Sequence, residues 1–225
     1  MRIFFLLIAL LPCIVFAQAD PSDADRQTVD FTAEIFNGKE HPGYIAGIIG
    51  TAYYLDNDWQ PGTIVYRDIY YPSMLVKYDL VQKEIIIRHP ASKMAITLFT
   101  PRVSSFSISG RKFIRISEND TSCLAPGIYE EAQKGRLNFY ILRSKYLLET
   151  PKDHEMEREF LTNDSYYVIK DRRCYPLKKK KNIWTLVSGK KQVIKADLRK
   201  KELNYRRNRE ATLTEIITYY NDAAN

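Results

Sequence analysis

Basic side chains are concentrated near the C-terminus of the 225-residue chain. Residues 172–209 hold 15 Lys or Arg against two acidic residues, a local net charge of +13. Because the formal net charge of the whole chain is +7, the remainder carries −6. Such a field attracts an acidic protein surface, anionic lipid or acidic polysaccharide, unless the segment only faces the protein's own acidic half. The candidate residues for an anionic partner are Arg172, Arg173, Lys178, Lys179, Lys180, Lys181, Lys190, Lys191, Arg206, Arg207 and Arg209.

Residue types that perform catalysis show no recognisable arrangement. The sequence lacks a GxSxG motif, and no local signature joins His41, His89 or His154 to a Ser or Cys nucleophile. His41 and His89 each precede a proline, which favours exposed loop positions. Residues 56–58 (DND) resemble the start of a calcium loop without its Gly and Glu, so an Asx turn is favoured. We therefore name no catalytic, metal-binding or cofactor-binding residue.

Tyrosine is the other unusual feature, with 16 in the chain. Several form adjacent pairs, such as Tyr53-Tyr54 and Tyr166-Tyr167. In a strand, the two members of each pair face opposite sides of the sheet, so about half point away from the core. Exposed tyrosines can stack on sugars or anchor a partner, whereas half-buried tyrosines simply favour strands. A glycan-binding module is therefore one alternative function.

The first 28 residues indicate an exported protein. Residues 1–17 combine Arg2 with an apolar run of 14 residues and end in Val15-Phe16-Ala17, the pattern of a cleaved signal peptide. Residues 18–28 are polar and acidic, which predicts a flexible leader. No later apolar run is long enough for a membrane-spanning helix, so we expect no transmembrane segment in the mature chain. An exported protein seldom meets nucleic acid, so we expect none as a partner.

Two cysteines, Cys123 and Cys174, would remain in the mature chain. In an oxidising compartment they could form one disulfide, or they could stay as two half-buried thiols. The sequence alone leaves both possibilities open. Neither lies at metal-ligand spacing from a histidine, which argues against a structural zinc site.

Short segments rich in Ile, Val, Tyr and Phe recur between residues 29 and 177, with turn residues every 8–12 positions. This spacing predicts an antiparallel β body: a sandwich, roll or partly closed barrel. Ser109-Gly110-Arg111 is a predicted hairpin turn, 137–148 a single strand, and 149–164 a charged, flexible excursion. The first predicted strand covers residues 29–35.

The hydrophobic period changes after Leu177, which begins a predicted basic helical segment of residues 178–225. Helices are predicted over 178–187 and 190–201, with a stop at Ser188-Gly189. In residues 208–222, the apolar side chains recur at i, i+3, i+4 and i+7, one face of an amphipathic helix. These helices carry too little apolar surface to stand alone and must dock on the sheet or on a partner. The expected fold class is therefore α+β, with two or three C-terminal helices.

The chain also resembles a group of uncharacterised envelope proteins of Bacteroidota-type bacteria. The resemblance rests on WQPGTIVY at 59–66, LVKYD at 75–79, GIY at 127–129, YYVIK at 166–170 and YYN at 219–221. It covers roughly residues 36–222 and implies export to the periplasm or outer membrane, without implying any catalytic residue. We expect a non-enzymatic binding or accessory protein, with an envelope enzyme and a glycan-binding module as alternatives.

Overall fold

The computed structural model describes residues 34–120, 122–152 and 155–222. The predicted signal peptide (1–17), the predicted leader (18–28) and His154 lie outside these residues. The described strands are β1 (Lys39–Glu40), β2 (Ile48–Ile49), β3 (Gln60–Tyr66), β4 (Ile69–Asp79), β5 (Glu84–Arg88), β6 (Ala95–Thr97), β7 (Val103–Ile108), β8 (Arg111–Ile116), β9 (Gly127–Gln133), β10 (Asn138–Leu142), β11 (Lys145–Lys152), β12 (Glu155–Thr162), β13 (Ser165–Lys170) and β14 (Arg173–Pro176). The helices are α1 (Lys180–Leu186), α2 (Lys191–Lys200) and α3 (Arg209–Asp222).

Eleven of the described strands form one antiparallel sheet in the order β1-β6-β5-β4-β3-β7-β8-β9-β10-β13-β14. The remaining three form a second, small sheet in the order β11-β12-β2, in which β2 runs parallel to β12. The large sheet does not close into a barrel within the described residues. The expected α+β class, mainly antiparallel and ending in helices, is confirmed.

Tight turns join neighbouring strands of the large sheet. Ser109 and Gly110 connect β7 to β8 with φ angles of 47° and 77°, which confirms the predicted hairpin. Arg67 and Asp68 connect β3 to β4 in the same left-handed region. Two consecutive residues with positive φ match the right-handed twist of the strands that they join.

The secondary structure predicted for two segments is wrong. The single strand expected over 137–148 is divided: β10 ends at Leu142, and β11 begins the small sheet at Lys145. The segment 149–164, expected to be flexible, forms most of the β11–β12 hairpin. Opposite charges face each other across this hairpin, with Arg158 Nε 2.7 Å from Glu149 Oε1. Such cross-strand pairs stabilise a strand whose composition alone suggests an exposed loop.

The end of the predicted first strand also differs from the structure, whereas the predicted helix stop is confirmed. Of residues 29–35, only the last two are described, and they belong to the 3₁₀ turn Glu34–Phe36. Ile35 and Phe36 are buried in the main core of the sheet. Ser188 and Gly189 lie in a 3₁₀ turn that separates the end of α1 at Leu186 from the start of α2 at Lys191.

Apolar side chains divide into two main clusters. One lies on β3–β8 and centres on Tyr78, Phe106 and Phe113, with the two phenylalanine rings stacked at 4.8 Å. The other joins the three helices to β10 and β13. Its members include Leu213, Ile216 and Ile217 of α3, all fully buried, so the predicted amphipathic face is the one that docks on the sheet.

Arg143, directly after β10, ties α3 to the sheet through charged groups. Its guanidinium contacts Glu130 Oε2 at 2.6 Å, Asp164 Oδ2 at 2.7 Å and Glu210 Oε2 at 2.6 Å. Arg143 is 8% exposed and Glu130 is fully buried. A buried charge is tolerated when it is paired and hydrogen-bonded, as it is here.

A disulfide joins Cys123 to Cys174, with 5.7 Å between the Cα atoms. It links the loop before β9 to β14, the last strand of the large sheet. Of the two possibilities left open by the sequence, the structure therefore has the bridged one. A disulfide is consistent with an oxidising, exported compartment.

Candidate functional site

A groove of about 690 Å³ lies between α1 and α2, and we call it the basic groove. From α1 and the turn after it come Lys180, Lys181, Trp184, Thr185 and Ser188; from α2 come Lys191 and Lys195. These positions recur at one-turn spacing, because side chains at i and i+4 share a helix face. The opposite faces hold the two helices on the sheet.

The docked faces show why the lysines must point outward. Ile183 and Val187 are fully buried below α1, and Ile194 and Leu198 are buried below α2. Each pair is spaced by four residues, so each helix places its apolar stripe on the core. Lysine then occupies the remaining surface, and Trp184, 8% exposed, contributes an aromatic ring to the groove.

Within the part of the chain that the structure describes, none of the four groove lysines forms an ion pair. By contrast, Lys201 in the same segment contacts both Asp197 and Glu215. Lys191 and Lys195 are like charges at i and i+4, which repel each other on a helix. An anion seated between them would relieve that repulsion, so the groove has the electrostatics of an anion-binding surface.

The sequence-predicted binding residues do not all meet at this groove. Lys180, Lys181 and Lys191 line it, while Lys178 and Lys179 are exposed just before α1. The other exposed candidates lie on different elements. Arg172 and Arg173 lie at the β13–β14 turn, and Arg206 and Arg207 precede α3.

Two of the candidates make contacts within the protein. Arg209 donates to the Leu177 carbonyl at 2.5 Å, and its guanidinium lies 4.8 Å from the centre of the Tyr166 ring. Lys190 Nζ lies 5.4 Å from the centre of the Tyr220 ring on α3. These contacts indicate a role in docking the helices.

Lys195 was missed as a binding residue. Its spacing of four from Lys191, with no acidic residue on the same face, is the signal that could have identified it. The sequence showed the total charge of the segment, but only the packing of α1 beside α2 shows which lysines face one another.

His41 corrects another expectation, because it is buried rather than exposed. Its Nε2 atom lies 2.9 Å from the Tyr53 hydroxyl and its Nδ1 atom 3.3 Å from Thr97 Oγ1. Burial lowers the pKa of His41. Both ring nitrogens therefore have partners inside the fold.

Two further findings concern metals and membranes. Across the described ranges, no group of three or more His, Cys, Asp and Glu side chains is placed to hold a metal ion. Within the same ranges, no helix is long and apolar enough to cross a membrane.

Comparison with known proteins identifies no relative of this chain. No family model, no curated protein and no solved structure matches it. The resemblance to envelope proteins therefore stays a prediction from the sequence.

Proposed function

We propose that this is a non-enzymatic binding protein of the cell envelope, which engages an acidic partner or surface through its basic groove. One observation carries the proposal: Lys180, Lys181, Lys191 and Lys195 converge on one groove without a carboxylate partner among the described residues. Trp184 adds a ring that can pack against the apolar part of a ligand.

We propose a location outside the cytoplasm, in the periplasm or at the outer membrane. The predicted signal peptide at residues 1–17 and the Cys123–Cys174 disulfide support export. The resemblance to Bacteroidota-type envelope proteins supports the envelope in particular. In that compartment, anionic lipid headgroups, acidic polysaccharide and acidic proteins are the anions available to the groove.

The test compares binding to vesicles that contain phosphatidylglycerol with binding to vesicles of phosphatidylcholine alone, and repeats it with an acidic polysaccharide such as heparin. Binding should be confined to the anionic probes. Binding should weaken as the salt concentration rises from about 50 to about 200 mM, because salt screens the interactions between exposed charges. An affinity that does not change with salt concentration, or that is equal on neutral vesicles, contradicts the proposal.

A charge-matched pair of triple variants separates the groove from net charge. Lys181, Lys191 and Lys195 are changed to Gln in one variant, and the exposed Lys39, Lys83 and Lys93 of the β body in the other. At roughly 1 kcal/mol per lysine near an anionic surface, the groove variant should bind roughly 100-fold more weakly. The control should keep most of the wild-type affinity, and equal losses in both variants argue against a specific groove.

A further inference from the structure

A second concave site lies on the β body, apart from the basic groove. It is a cavity of about 350 Å³ between the chain segment 44–57, β4 and β12. We call it the tyrosine pocket, after Tyr44 and Tyr53 in its wall; Lys77 and Phe160 also line it. The volume lies in the range of pockets that hold small ligands.

Hydrogen bonds and ring contacts inside the fold hold the tyrosine side chains of the pocket in place. The Tyr44 hydroxyl donates to Oδ2 of Asp79 at 2.7 Å, and Asp79 is fully buried. The Tyr53 hydroxyl is hydrogen-bonded to Nε2 of His41. The ring of Tyr44 packs edge-on against Phe160 at 5.0 Å. Because the hydroxyls are occupied inside the fold, both rings are held in fixed positions; Tyr53 is buried beneath Lys77, and the half-buried Tyr44 ring lines the pocket.

His41 and Asp79 hold the hydroxyls of the two tyrosines and use their polar atoms for contacts inside the fold. The remaining oxygen of Asp79, Oδ1, accepts the backbone N–H groups of Val81 and Gln82 at 2.8 and 2.9 Å. Both nitrogens of His41 are engaged as well. The pocket is therefore arranged to bind and orient, and we infer no chemical step in it.

Polar groups line the rest of the tyrosine pocket. Thr51 Oγ1 donates to Asn57 Oδ1 at 2.6 Å, which orients the Asn57 amide. Lys77 Nζ lies 4.8 Å from the centres of both the Tyr53 and Trp59 rings. The pocket thus combines fixed rings with a lysine donor, an amide and a hydroxyl.

The charge at the tyrosine pocket differs from that at the basic groove. Burial lowers the pKa of Lys77, and the nearby carboxylates of Asp58 and Asp56 oppose that shift. Arg88, which lies over the same Trp59 ring as Lys77, adds a second positive charge, so the two carboxylates balance the two basic groups. A ligand with a full negative charge would meet these carboxylates as well, so a neutral ligand suits the site better.

We propose that the tyrosine pocket binds one neutral sugar unit. A sugar has hydroxyls that both donate and accept hydrogen bonds, which suits the mostly polar wall with Lys77, Asn57 and Thr51, and its C–H groups can pack on the half-buried Tyr44 ring. Gly47 lies in the pocket wall with a φ of 85°, where an L side chain is strained, so the wall stays open at that point. The proposal does not depend on the basic groove.

The experiment titrates the full chain with neutral sugars (glucose, galactose, mannose, N-acetylglucosamine and their disaccharides) and with glucuronate, followed by ¹H–¹⁵N NMR. At least one neutral sugar should shift the amides of residues 44–57 saturably at millimolar concentration. Failure of every neutral sugar to do so overturns the proposal. Stronger shifts with glucuronate than with any neutral sugar overturn it too, because they identify an anion site.

Two variants with matched controls tie the shifts to this pocket. Asn57→Ala removes an amide and should weaken sugar binding about tenfold, whereas Asn119→Ala at an exposed turn should not. Ala46→Trp should block the cavity, whereas Ala91→Trp in another exposed loop should leave binding unchanged. Unaltered sugar affinity in both pocket variants places the binding elsewhere and contradicts the assignment.

Discussion

Arg143 meets carboxylates from three separate parts of the chain: Glu130 on β9, Asp164 between β12 and β13, and Glu210 in the first turn of α3. Two guanidinium nitrogens bind the Glu210 carboxylate, at 2.6 and 2.8 Å. Burial alone would lower the pKa of Arg143, but these carboxylates outweigh it and raise the pKa. The residue is therefore permanently charged and fixes the position of α3.

Replacement of Arg143 by Met should lower the free energy of unfolding by about 3–5 kcal/mol, because Glu130 would be left buried without its partner. Chemical denaturation monitored by circular dichroism measures this change. Arg199→Met on the exposed surface of α2 is the control and should change stability by less than about 0.5 kcal/mol. A loss below about 1 kcal/mol for Arg143→Met contradicts the structural role of the cluster.

The Glu210 carboxylate should make stability depend on acid pH. Burial raises its pKa, but the hydrogen bonds and charge of Arg143 outweigh burial, so the pKa lies below its ordinary value of 4.5. A lowered folded-state pKa contributes stability that is complete above pH 4.5 and is lost as pH falls through the folded-state value.

We therefore expect Glu210→Gln to be less stable than wild type at neutral pH and to show a shallower loss of stability below about pH 4.5. Unfolding free energies between about pH 7 and pH 3 measure the slope. Glu118→Gln, at an exposed turn, should keep the wild-type slope. Parallel acid profiles for wild type and Glu210→Gln contradict the assigned pKa direction.

At the scale of elements, the disulfide secures the edge of the large sheet. β14 pairs with β13 on one side only, and Cys174 lies within it. Cys123 is 51 residues earlier, in the loop before β9. A crosslink across that distance restricts the unfolded chain and keeps the edge strand in place.

Changing Cys123 and Cys174 together to Ser should lower the free energy of unfolding by about 2–4 kcal/mol. The midpoint of guanidinium unfolding, measured with and without reductant, tests this. Reductant should lower the midpoint of the wild-type protein and leave that of the double variant unchanged. A reductant effect of equal size in both proteins would show that the bridge is not its cause.

At the scale of the whole molecule, the helices share one of the two main apolar clusters with the large sheet. Leu213, Ile216 and Ile217 of α3 belong to the same cluster as Phe139 of β10 and Val168 of β13. Trp184 of α1 joins this cluster as well. The basic groove is therefore carried by helices that depend on the sheet, and we expect a single cooperative unfolding transition.

Ile216→Ala, at a fully buried position of α3, should lower the free energy of unfolding by about 2–5 kcal/mol. The transitions seen by far-ultraviolet circular dichroism and by tryptophan fluorescence should move together, because helices and sheet unfold as one. Val193→Ala, at a side chain that is 57% exposed, is the control and should change stability by less than about 0.5 kcal/mol. A shift in only one of the two signals contradicts the shared cluster.

Much of the fold was predictable because its signals are local. Turn residues between short runs of Ile, Val, Tyr and Phe predicted the meander, and β5 begins and ends where its run does, at Glu84 and Arg88. The i, i+3, i+4 spacing of Leu213, Ile216 and Ile217 predicted which face of α3 is buried. Both signals, the turn residues and the spacing of apolar residues, are contained within short stretches of the chain.

The misassigned segments depend on distant partners. Residues 149–152 and 155–162 are strands because each pairs with the other, and β12 also pairs with β2, more than 100 residues earlier. β10 and β11 separate at Arg143, whose partner Glu210 lies 67 residues further along the chain. Local composition carries no signal of either contact.

The sequence by itself determined the antiparallel meander, the amphipathic helices and the strong positive charge of residues 172–209, because these follow from residue order and composition. Only the tertiary structure decided that Cys123 meets Cys174, that four lysines converge on the basic groove, and that Tyr44 and Tyr53 enclose the tyrosine pocket. Each of these arrangements depends on how separate elements of the fold pack together, and burial of their apolar faces brings those elements into place.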